Sequence, residues 1–174
     1  AKKYGAKVPF LRSISNANDF ATLADVLVEV LTEYIKKEKI FENICCFLPT
    51  AALITPEKIT EAYKTYLDGD FYSVVPVIGF AYPIQRALRL ENNEIKMLEP
   101  QNFKKRSQDL ERCFHDAAQF IIGTSKAWKT KIPFVDGITK PFVIPKYRVQ
   151  DIDNEDDWYE AELNFSFLNS SDTG

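Results

Sequence analysis

The sequence has few of the residues that build metal, redox and phosphate-binding sites. Among 174 residues there are three cysteines, one histidine and six glycines. Cys45, Cys46 and Cys113 are odd in number and two of them are adjacent, which argues against a disulfide framework or a zinc site. His115 is the one histidine of the sequence, and no cysteine pair lies at ligand spacing from it, which argues against metal binding by His115. No glycine-rich phosphate loop of the P-loop or GxGxxG kind is present.

Strong positive charge and long apolar runs are also missing. A net charge of −3 argues against nucleic-acid binding, because such domains usually carry a basic footprint. No apolar run approaches the ~18 residues of a membrane span. Buried, reduced thiols fit a cytosolic protein, and no Ser/His/Asp or Cys/His nucleophile set stands out. We therefore expect one cytoplasmic domain at residues 1–174, with neither nucleic acid nor membrane as a partner.

Helical and strand patterns alternate along the first half of the chain. Apolar residues recur at helical spacing over residues 19–39, and residues 43–48 form an apolar run typical of a buried strand. Thr55, Pro56 and Glu57 begin a helix predicted to end at Leu67, and residues 71–79 form the next strand. This rhythm predicts an α/β fold with crossover connections and a mixed, mostly parallel sheet between helices.

The second half of the chain departs from that rhythm. Two apolar stretches flank Glu91-Asn92-Asn93-Glu94, which predicts a hairpin protruding from the sheet. Further strands are predicted at residues 117–123 and 142–149, with a short one at 7–11. A terminal helix that contains Trp158 is predicted to follow Asn154. At the start, residues 1–4 followed by Gly5 resemble the last turn of a helix, so we expect a fragment of a longer protein.

Two carboxylates follow the last predicted strand. Asp151 and Asp153 are two residues apart, and in an extended segment such residues face the same side. They could hold one Mg²⁺ together with phosphate oxygens. The other interpretation is that these acids, with Asn154 and the acidic residues 155–157, only cap the helix that follows.

Polar clusters offer candidate ligand contacts. Arg86, Arg89 and Arg106 could grip carboxylate or phosphate, or could form ordinary surface salt bridges. Residues 106–110 (RSQDL) and 115–120 (HDAAQF) are rich in hydrogen-bonding side chains beside a strand. They could bind the hydroxyl and amide groups of a sugar, or could be a plain polar loop.

Four segments occur in the order seen in one family. They are residues 83–89 (PIQRALR), 106–110 (RSQDL), 115–120 (HDAAQF) and 147–153 (YRVQDID), the last followed by EDDW. With the opening residues 1–12, they make the chain resemble the pseudaminic acid cytidylyltransferases, relatives of the sialic acid cytidylyltransferases. The resemblance covers nearly the whole chain.

The resemblance implies a Rossmann-like nucleotidyltransferase whose hairpin region, about residues 87–108, mediates homodimerisation. The implied reaction is attack of a sugar hydroxyl on the α-phosphate of CTP, which would activate pseudaminic acid for flagellin or surface glycosylation in the bacterial cytoplasm. Asp151 and Asp153 would be the catalytic pair that binds Mg²⁺. The other implied site residues are Pro49, Thr50 and Ala51 for the nucleotide, and Gln85, Arg86, Arg106, Gln108, Asp109 and Gln119 for the sugar.

The chain also departs from the family pattern. The family opens with a strand and a Gly-Gly-Ser-Lys-Arg-Ile-Pro-type loop for CTP, for which this sequence has no counterpart. Ala52 replaces a usual proline, Asn18 and Ala21 replace an Asp and a Thr, and Ala118 replaces the glycine of a Gly-Gln-Phe-Tyr pattern. Two alternatives therefore stay open: an enzyme for N-acetylneuraminate or legionaminate, and a non-catalytic remnant that binds sugar or dimerises.

Overall fold

The computed structural model describes residues 1–130 and 138–171, without the side chain of Ser171. This part of the chain is a mixed α/β structure with seven strands and four α-helices. Its elements are α1 (Leu23–Ile35), β1 (Asn43–Phe47), α2 (Pro56–Leu67), β2 (Ser73–Gly79), β3 (Leu88–Glu91), β4 (Glu94–Met97), β5 (Phe114–Asp116), β6 (Phe120–Thr124), α3 (Ser125–Lys129), β7 (Thr139–Val143) and α4 (Glu155–Ser171).

The contacts divide the chain into two compact units. The first consists of Ala1–Phe47, Glu57–Val75 and Phe120–Lys140, and the second of Leu48–Pro56, Pro76–Gln119 and Pro141–Gly174. Strand β2 contributes residues to both. The single nucleotidyltransferase domain expected from the sequence stays a prediction.

The helices of the first unit begin where capping chemistry places them. Helix α1 starts after Thr22, whose hydroxyl accepts the Asp25 N–H while the Asp25 carboxylate accepts the Thr22 N–H. This capping box explains why the helix predicted from residue 19 begins at Leu23. Helix α2 has the predicted bounds, with Pro56 at its first position.

In the first unit, β6 lies between β1 and β2. Its Ile122 is opposite both Cys45 of β1 and Val74 of β2, and both pairings are antiparallel. Strands β1 and β2 consequently run in the same direction, as the crossover pattern suggests, but are not neighbours. The prediction of a mostly parallel sheet is wrong for the pairings whose register is described. The inserted strand comes from far along the chain, where no local pattern reveals its neighbours.

The core of the first unit is built from β2, β6 and α3. Val74, Phe120, Ile122 and Trp128 are almost completely buried, and α1 packs against α3. Strand β1 alternates exposed and half-buried residues, although the sequence predicted a fully buried strand. In the described residues it pairs with β6 alone, so only part of its apolar run is covered.

In the second unit, residues 77–79 of β2 pair antiparallel with β5. Strands β3 and β4 form a hairpin whose turn residues Asn92 and Asn93 have φ of 50° and 63°. Positive φ at both turn positions is typical of a type I′ turn, which asparagine tolerates well. The protrusion and the dimer role of this hairpin stay predictions.

Three strand predictions need correction. Residues 7–11 form no strand. The strand predicted at 117–123 begins at Phe120, because Ala118 has φ of 48° and its N–H is bonded to the Asp116 carboxylate in a tight turn. The strand predicted at 142–149 is β7, which ends at Val143 before Pro145 and the 3₁₀ turn Lys146–Arg148. Proline has no N–H for a strand ladder.

Candidate functional site

The segment carrying Asp151 and Asp153 leads into α4. It follows Val149, whose backbone is extended (φ −133°, ψ 129°). Asp151 and Asp153 are exposed while Ile152 between them is half-buried, as alternation in an extended segment predicts. Within residues 1–130 and 138–171, the structure describes no hydrogen bond or ion pair for either carboxylate. Both are therefore available to a ligand.

The neighbouring Asp157, in contrast, has a hydrogen-bonded carboxylate. Asp157 donates its N–H to Asn154 Oδ1 at 3.1 Å, and its carboxylate accepts the N–H groups of Asn154 at 3.1 Å and Asp153 at 2.9 Å. Asn154 and Asp157 thus cap α4 reciprocally. The capping interpretation is confirmed for these two residues, and Asp157 also fixes the backbone of Asp153.

An apolar cavity of about 460 Å³ adjoins this segment. Its walls come from Ala52 and Leu53, from Ile152, and from α4 residues Trp158, Ala161, Glu162, Phe165 and Ser166. The loop after β1 and the Asp151–Asp153 segment therefore meet at one cavity, both within the second unit.

The predicted nucleotide residues lie in the loop just before that cavity wall. The loop is closed by short backbone bonds, from Ala51 N–H to the Leu48 carbonyl at 3.1 Å and from Ala52 N–H to the Thr50 carbonyl at 2.8 Å. Pro49 is exposed, Thr50 half-buried and Ala51 buried. None of these three residues lines the cavity itself; their neighbours Ala52 and Leu53 do.

The predicted sugar residues near the hairpin are brought together by side-chain bonds. Arg86 Nη1 donates to the Ser107 hydroxyl at 3.2 Å. Arg106 forms a two-point salt bridge with Asp109, at 2.7 and 3.0 Å. Gln85 donates its amide to the Glu111 carbonyl at 3.0 Å and to Cys113 Sγ at 3.2 Å.

A second cavity, of about 280 Å³, lies beside these residues. Gln108 lines it, and so does Arg112, which the sequence analysis did not single out. Arg112 lies between the two polar blocks rather than in either of them, so no motif drew attention to it. Only its position in the folded chain reveals it as a cavity residue. The full lining is Phe80, Ala81, Tyr82, Pro83, Ser107, Gln108, Leu110, Glu111, Arg112 and Cys113.

Gln119 is not at the surface of either cavity. It is 1% exposed, and its amide nitrogen donates to the carbonyls of Ala117 and Ala118, both at 3.1 Å. Its Oε1 is buried without a described partner. Gln119 therefore supports the turn before β6 in this structure, and its contact with a sugar stays a prediction.

The cysteines do not form a nucleophilic or metal centre. Cys45 is exposed as a residue, contrary to the expected burial, yet desolvation of the thiol and the adjacent Cys46 raise its pKa to about 11. Burial also raises the pKa of Cys46, so both thiols stay protonated near neutral pH. Across the described residues, no three His, Cys, Asp or Glu side chains come together as a metal site.

Comparison with known proteins identifies the family. The chain is 35% identical over 98% of its length to the pseudaminic acid cytidylyltransferases of two Campylobacter jejuni strains, serotypes O:2 and O:23/36. It spans 74% of the length of each of these relatives. The chain belongs to the pseudaminic acid cytidylyltransferase family. This confirms the resemblance found in the sequence.

This cytidylyltransferase-family chain is more distantly similar to a protein named for a different sugar acid. It is 26% identical, over 93% of its length, to the CMP-N,N'-diacetyllegionaminic acid synthase of Legionella pneumophila, of which it spans 70%. No protein-family model matches the chain. None of the helices in the described part of the chain is both long and apolar enough to cross a membrane.

Proposed function

We propose that this family member transfers CMP from CTP to pseudaminic acid and releases pyrophosphate. The observation that carries the proposal is its 35% identity, over 98% of its length, to proteins named for that activity. The cavity that joins the loop after β1 to the Asp151–Asp153 segment supports it, because it adjoins both the predicted nucleotide segment and the predicted metal ligands. We place the reaction in the bacterial cytoplasm.

In this reaction the sugar's anomeric hydroxyl oxygen bonds to the α-phosphorus of CTP, and the bond to pyrophosphate breaks. The protein's part in such a displacement is positioning and charge stabilisation. Asp151 and Asp153 fit a Mg²⁺ ion, since they are exposed oxygen ligands two residues apart with no described competing partner. When bound, the ion neutralises phosphate charge. We assign the proton of the attacking hydroxyl to one of these two carboxylates, as the family resemblance implies.

The sugar would lie against the cluster formed by Gln85, Arg86, Arg106, Gln108 and Asp109. Arg86 and Ser107 already share a hydrogen bond, and the Arg106–Asp109 salt bridge stiffens the adjoining turn. Gln108 lines the 280 Å³ cavity, where its amide can exchange hydrogen bonds with hydroxyl or acetamido groups.

The proposal is tested by pyrophosphate release from CTP, Mg²⁺ and pseudaminic acid. We expect release by the unaltered chain and a loss of at least 100-fold in Asp151→Ala and Asp153→Ala, since each removes a metal ligand. Asp156→Ala is the matched control, because Asp156 is an exposed acid of the same segment with no described hydrogen bond. Equal activity in all three variants would contradict the metal assignment. Sugar binding without any release would favour the non-catalytic remnant.

A second candidate substrate is a legionaminic acid, favoured by the similarity to the Legionella synthase. The two sugars differ in stereochemistry. Comparing kcat/KM for pseudaminic, legionaminic and N-acetylneuraminic acids separates the candidates, and we expect the highest value for pseudaminic acid.

We also propose that the hairpin is a homodimer contact in a Rossmann-like nucleotidyltransferase. Leu88, Leu90 and Ile95 are 59%, 78% and 66% exposed, and an open, mainly apolar cavity of about 980 Å³ lies beside the hairpin. Apolar surface of this kind, rimmed by charged side chains, is typical of a protein–protein contact. A second copy of the chain is the partner that the family resemblance implies.

Light scattering over a concentration series tests the dimer. We expect the unaltered chain to be dimeric and Leu90→Glu to be monomeric, because a buried unpaired charge at an interface is costly. Lys96→Glu is a control on the same hairpin that changes charge without removing apolar surface. A dimer that survives Leu90→Glu would place the contact elsewhere.

A further inference from the structure

Three arginines belong to the segments near the 280 Å³ cavity: Arg112 lines it, Arg86 is bonded to the lining residue Ser107, and Arg106 precedes Ser107 in the chain. Arg86 and Arg106 are already engaged. Arg106 is held by the two oxygens of Asp109, at 2.7 and 3.0 Å. Arg86 donates to the Ser107 hydroxyl. Arg112 lines the cavity, yet no hydrogen bond or ion pair of its side chain occurs in the part of the chain that the structure describes. Its guanidinium group is the one of the three that can take an anion without giving up a protein partner.

The Arg112 side chain is positioned by packing rather than by hydrogen bonds. Its guanidinium carbon lies 5.1 Å from the centre of the Phe114 ring, within cation–π range. Gly79, which pairs with Phe114 across the two strands, also lies close to this side chain. A methyl group at residue 79 would lie 3.2 Å from both Nε and Nη2 of Arg112. The absence of a side chain at Gly79 therefore lets the guanidinium group lie directly on strand β2.

The backbone on both sides of Arg112 is also fixed. Gln85 donates its amide to the carbonyl of Glu111 and to the sulfur of Cys113. The Cys113 carbonyl accepts the N–H of Phe80 at 3.1 Å. A binding group whose backbone and side chain are ordered in advance loses less entropy when its ligand arrives.

The charges around the cavity favour a singly charged ligand. Arg112 is the one cationic residue of the described lining and Glu111 the one acidic residue, so the formal charges of the lining cancel. A triphosphate would bring several negative charges into a cavity whose lining has a single guanidinium group and an acidic residue. A carboxylate carries one negative charge and matches the planar, two-point geometry of the guanidinium group. Tyr82, Ser107 and Gln108 supply neutral polar groups for the rest of a sugar acid.

We propose that Arg112 binds the carboxylate of the sugar acid, and that Gly79 and Phe114 hold it in position for that role. The inference rests on the proposed function, because it takes the substrate to be a nonulosonic acid. It changes the assignment within the predicted sugar site, since Arg106 then serves to stiffen the turn through Asp109.

The test is calorimetric binding of two ligands, pseudaminic acid and its carboxamide analogue. For Arg112→Gln we expect binding of the acid to weaken roughly 10- to 100-fold, the range for a charged hydrogen-bonded pair, and binding of the carboxamide to change little. Arg112→Lys should recover part of the loss, because it keeps the charge but not the two-point geometry. Lys104→Gln removes an exposed positive charge outside the cavity lining and is the control.

Gly79→Ala provides an independent variant. The added methyl group should displace the guanidinium group by a few tenths of an ångström and weaken binding of the acid several-fold, with the carboxamide again little affected. Circular dichroism and thermal melting establish that each variant is folded. A dissociation constant for the acid that is unchanged in Arg112→Gln, or that changes equally for both ligands, would overturn the proposal.

Two further results separate this proposal from its premise. A rise in the KM for CTP, with the KM for the acid unchanged, would assign Arg112 to phosphate and overturn the carboxylate role. Acid binding that depends on Arg112, without pyrophosphate release, would support the carboxylate role while refuting the proposed catalytic function. Failure of the unaltered chain to bind the acid would overturn the inference directly.

Discussion

Asp157 should be a positioning residue for the proposed metal ligands. Its carboxylate accepts three hydrogen bonds, from the N–H groups of Asp153 and Asn154 and from the Gln150 amide at 3.3 Å. Asp157→Ala removes all three and breaks the reciprocal cap of α4. The backbone of Asp153 is then no longer tied to the helix.

The expected magnitude follows from this set of bonds. Loss of a cap of this kind costs about 1–2 kcal/mol of the free energy of unfolding, and the freed N–H groups can turn to water because Asp153 and Asn154 are exposed. For a domain of this size, 1 kcal/mol corresponds to roughly 2–4 °C. We therefore expect Tm to fall by about 2–8 °C.

Thermal melting and Mg²⁺ titrations of pyrophosphate release test this reasoning together. We expect Asp157→Ala to lower Tm as calculated and to raise the Mg²⁺ concentration for half-maximal activity several-fold. Asp157→Asn keeps one acceptor oxygen, so its Tm and its half-maximal Mg²⁺ concentration should lie between those of the unaltered chain and Asp157→Ala. Asp156→Ala makes the same charge change in the same turn, without a described side-chain bond to lose. If both alanine variants lose equally, charge at the helix start explains the effect and the positioning role is refuted.

Two further predictions concern the backbone and pH. Ala118 has φ of 48°, where an L-residue is strained by ~1–2 kcal/mol. Ala118→Gly should therefore raise the free energy of unfolding by about 0.5–1 kcal/mol after glycine's entropy cost, whereas Ala117→Gly should lower it. Urea unfolding measures both variants, and a lower stability of Ala118→Gly would contradict the strain. The pKa of Glu29 lies below its usual 4.5 because it accepts bonds from the Ser13 N–H, the Asn16 amide and the Ser13 hydroxyl. Because the folded pKa is the lower one, this stabilisation is present above pH 4.5 and is lost as the pH falls through the folded value. The protection factor of the Ser13 amide, which is its exchange rate relative to the intrinsic rate at the same pH, should fall as the pH falls through that range. Glu29→Gln should remove this pH dependence, and an unchanged profile would refute the linkage.

Much of the local structure was predictable because its causes are local. Helix α2 begins at Pro56 and ends at Leu67 as its cap and periodicity predict, and the Asn92–Asn93 turn follows from residues that tolerate positive φ. The Asn154 cap was likewise readable, since capping involves residues three apart. The acidic pair Asp151 and Asp153 was found by its spacing alone.

Strand partners and ligand geometry were less predictable. The insertion of β6 between β1 and β2 joins residues about 75 positions apart, and nothing in either stretch specifies an antiparallel neighbour. The start of β6 at Phe120 depends on the left-handed backbone of Ala118, and the residue type alanine does not indicate such a conformation. Gln119 was predicted as a sugar contact, and only the folded chain shows that its side chain is buried.

The sequence by itself determined the family, the helix α2, the Asn92–Asn93 turn and the chemical types available for a site. Those properties depend on residue identity and on neighbours within one or two turns. The tertiary structure decided which strands pair, which of Arg86, Arg106 and Arg112 has no hydrogen bond or ion pair among the described residues, and which side chains share a cavity. The physical reason is that pairing and burial depend on contacts between distant segments, such as Gly79 beneath Arg112, which exist only in the folded chain.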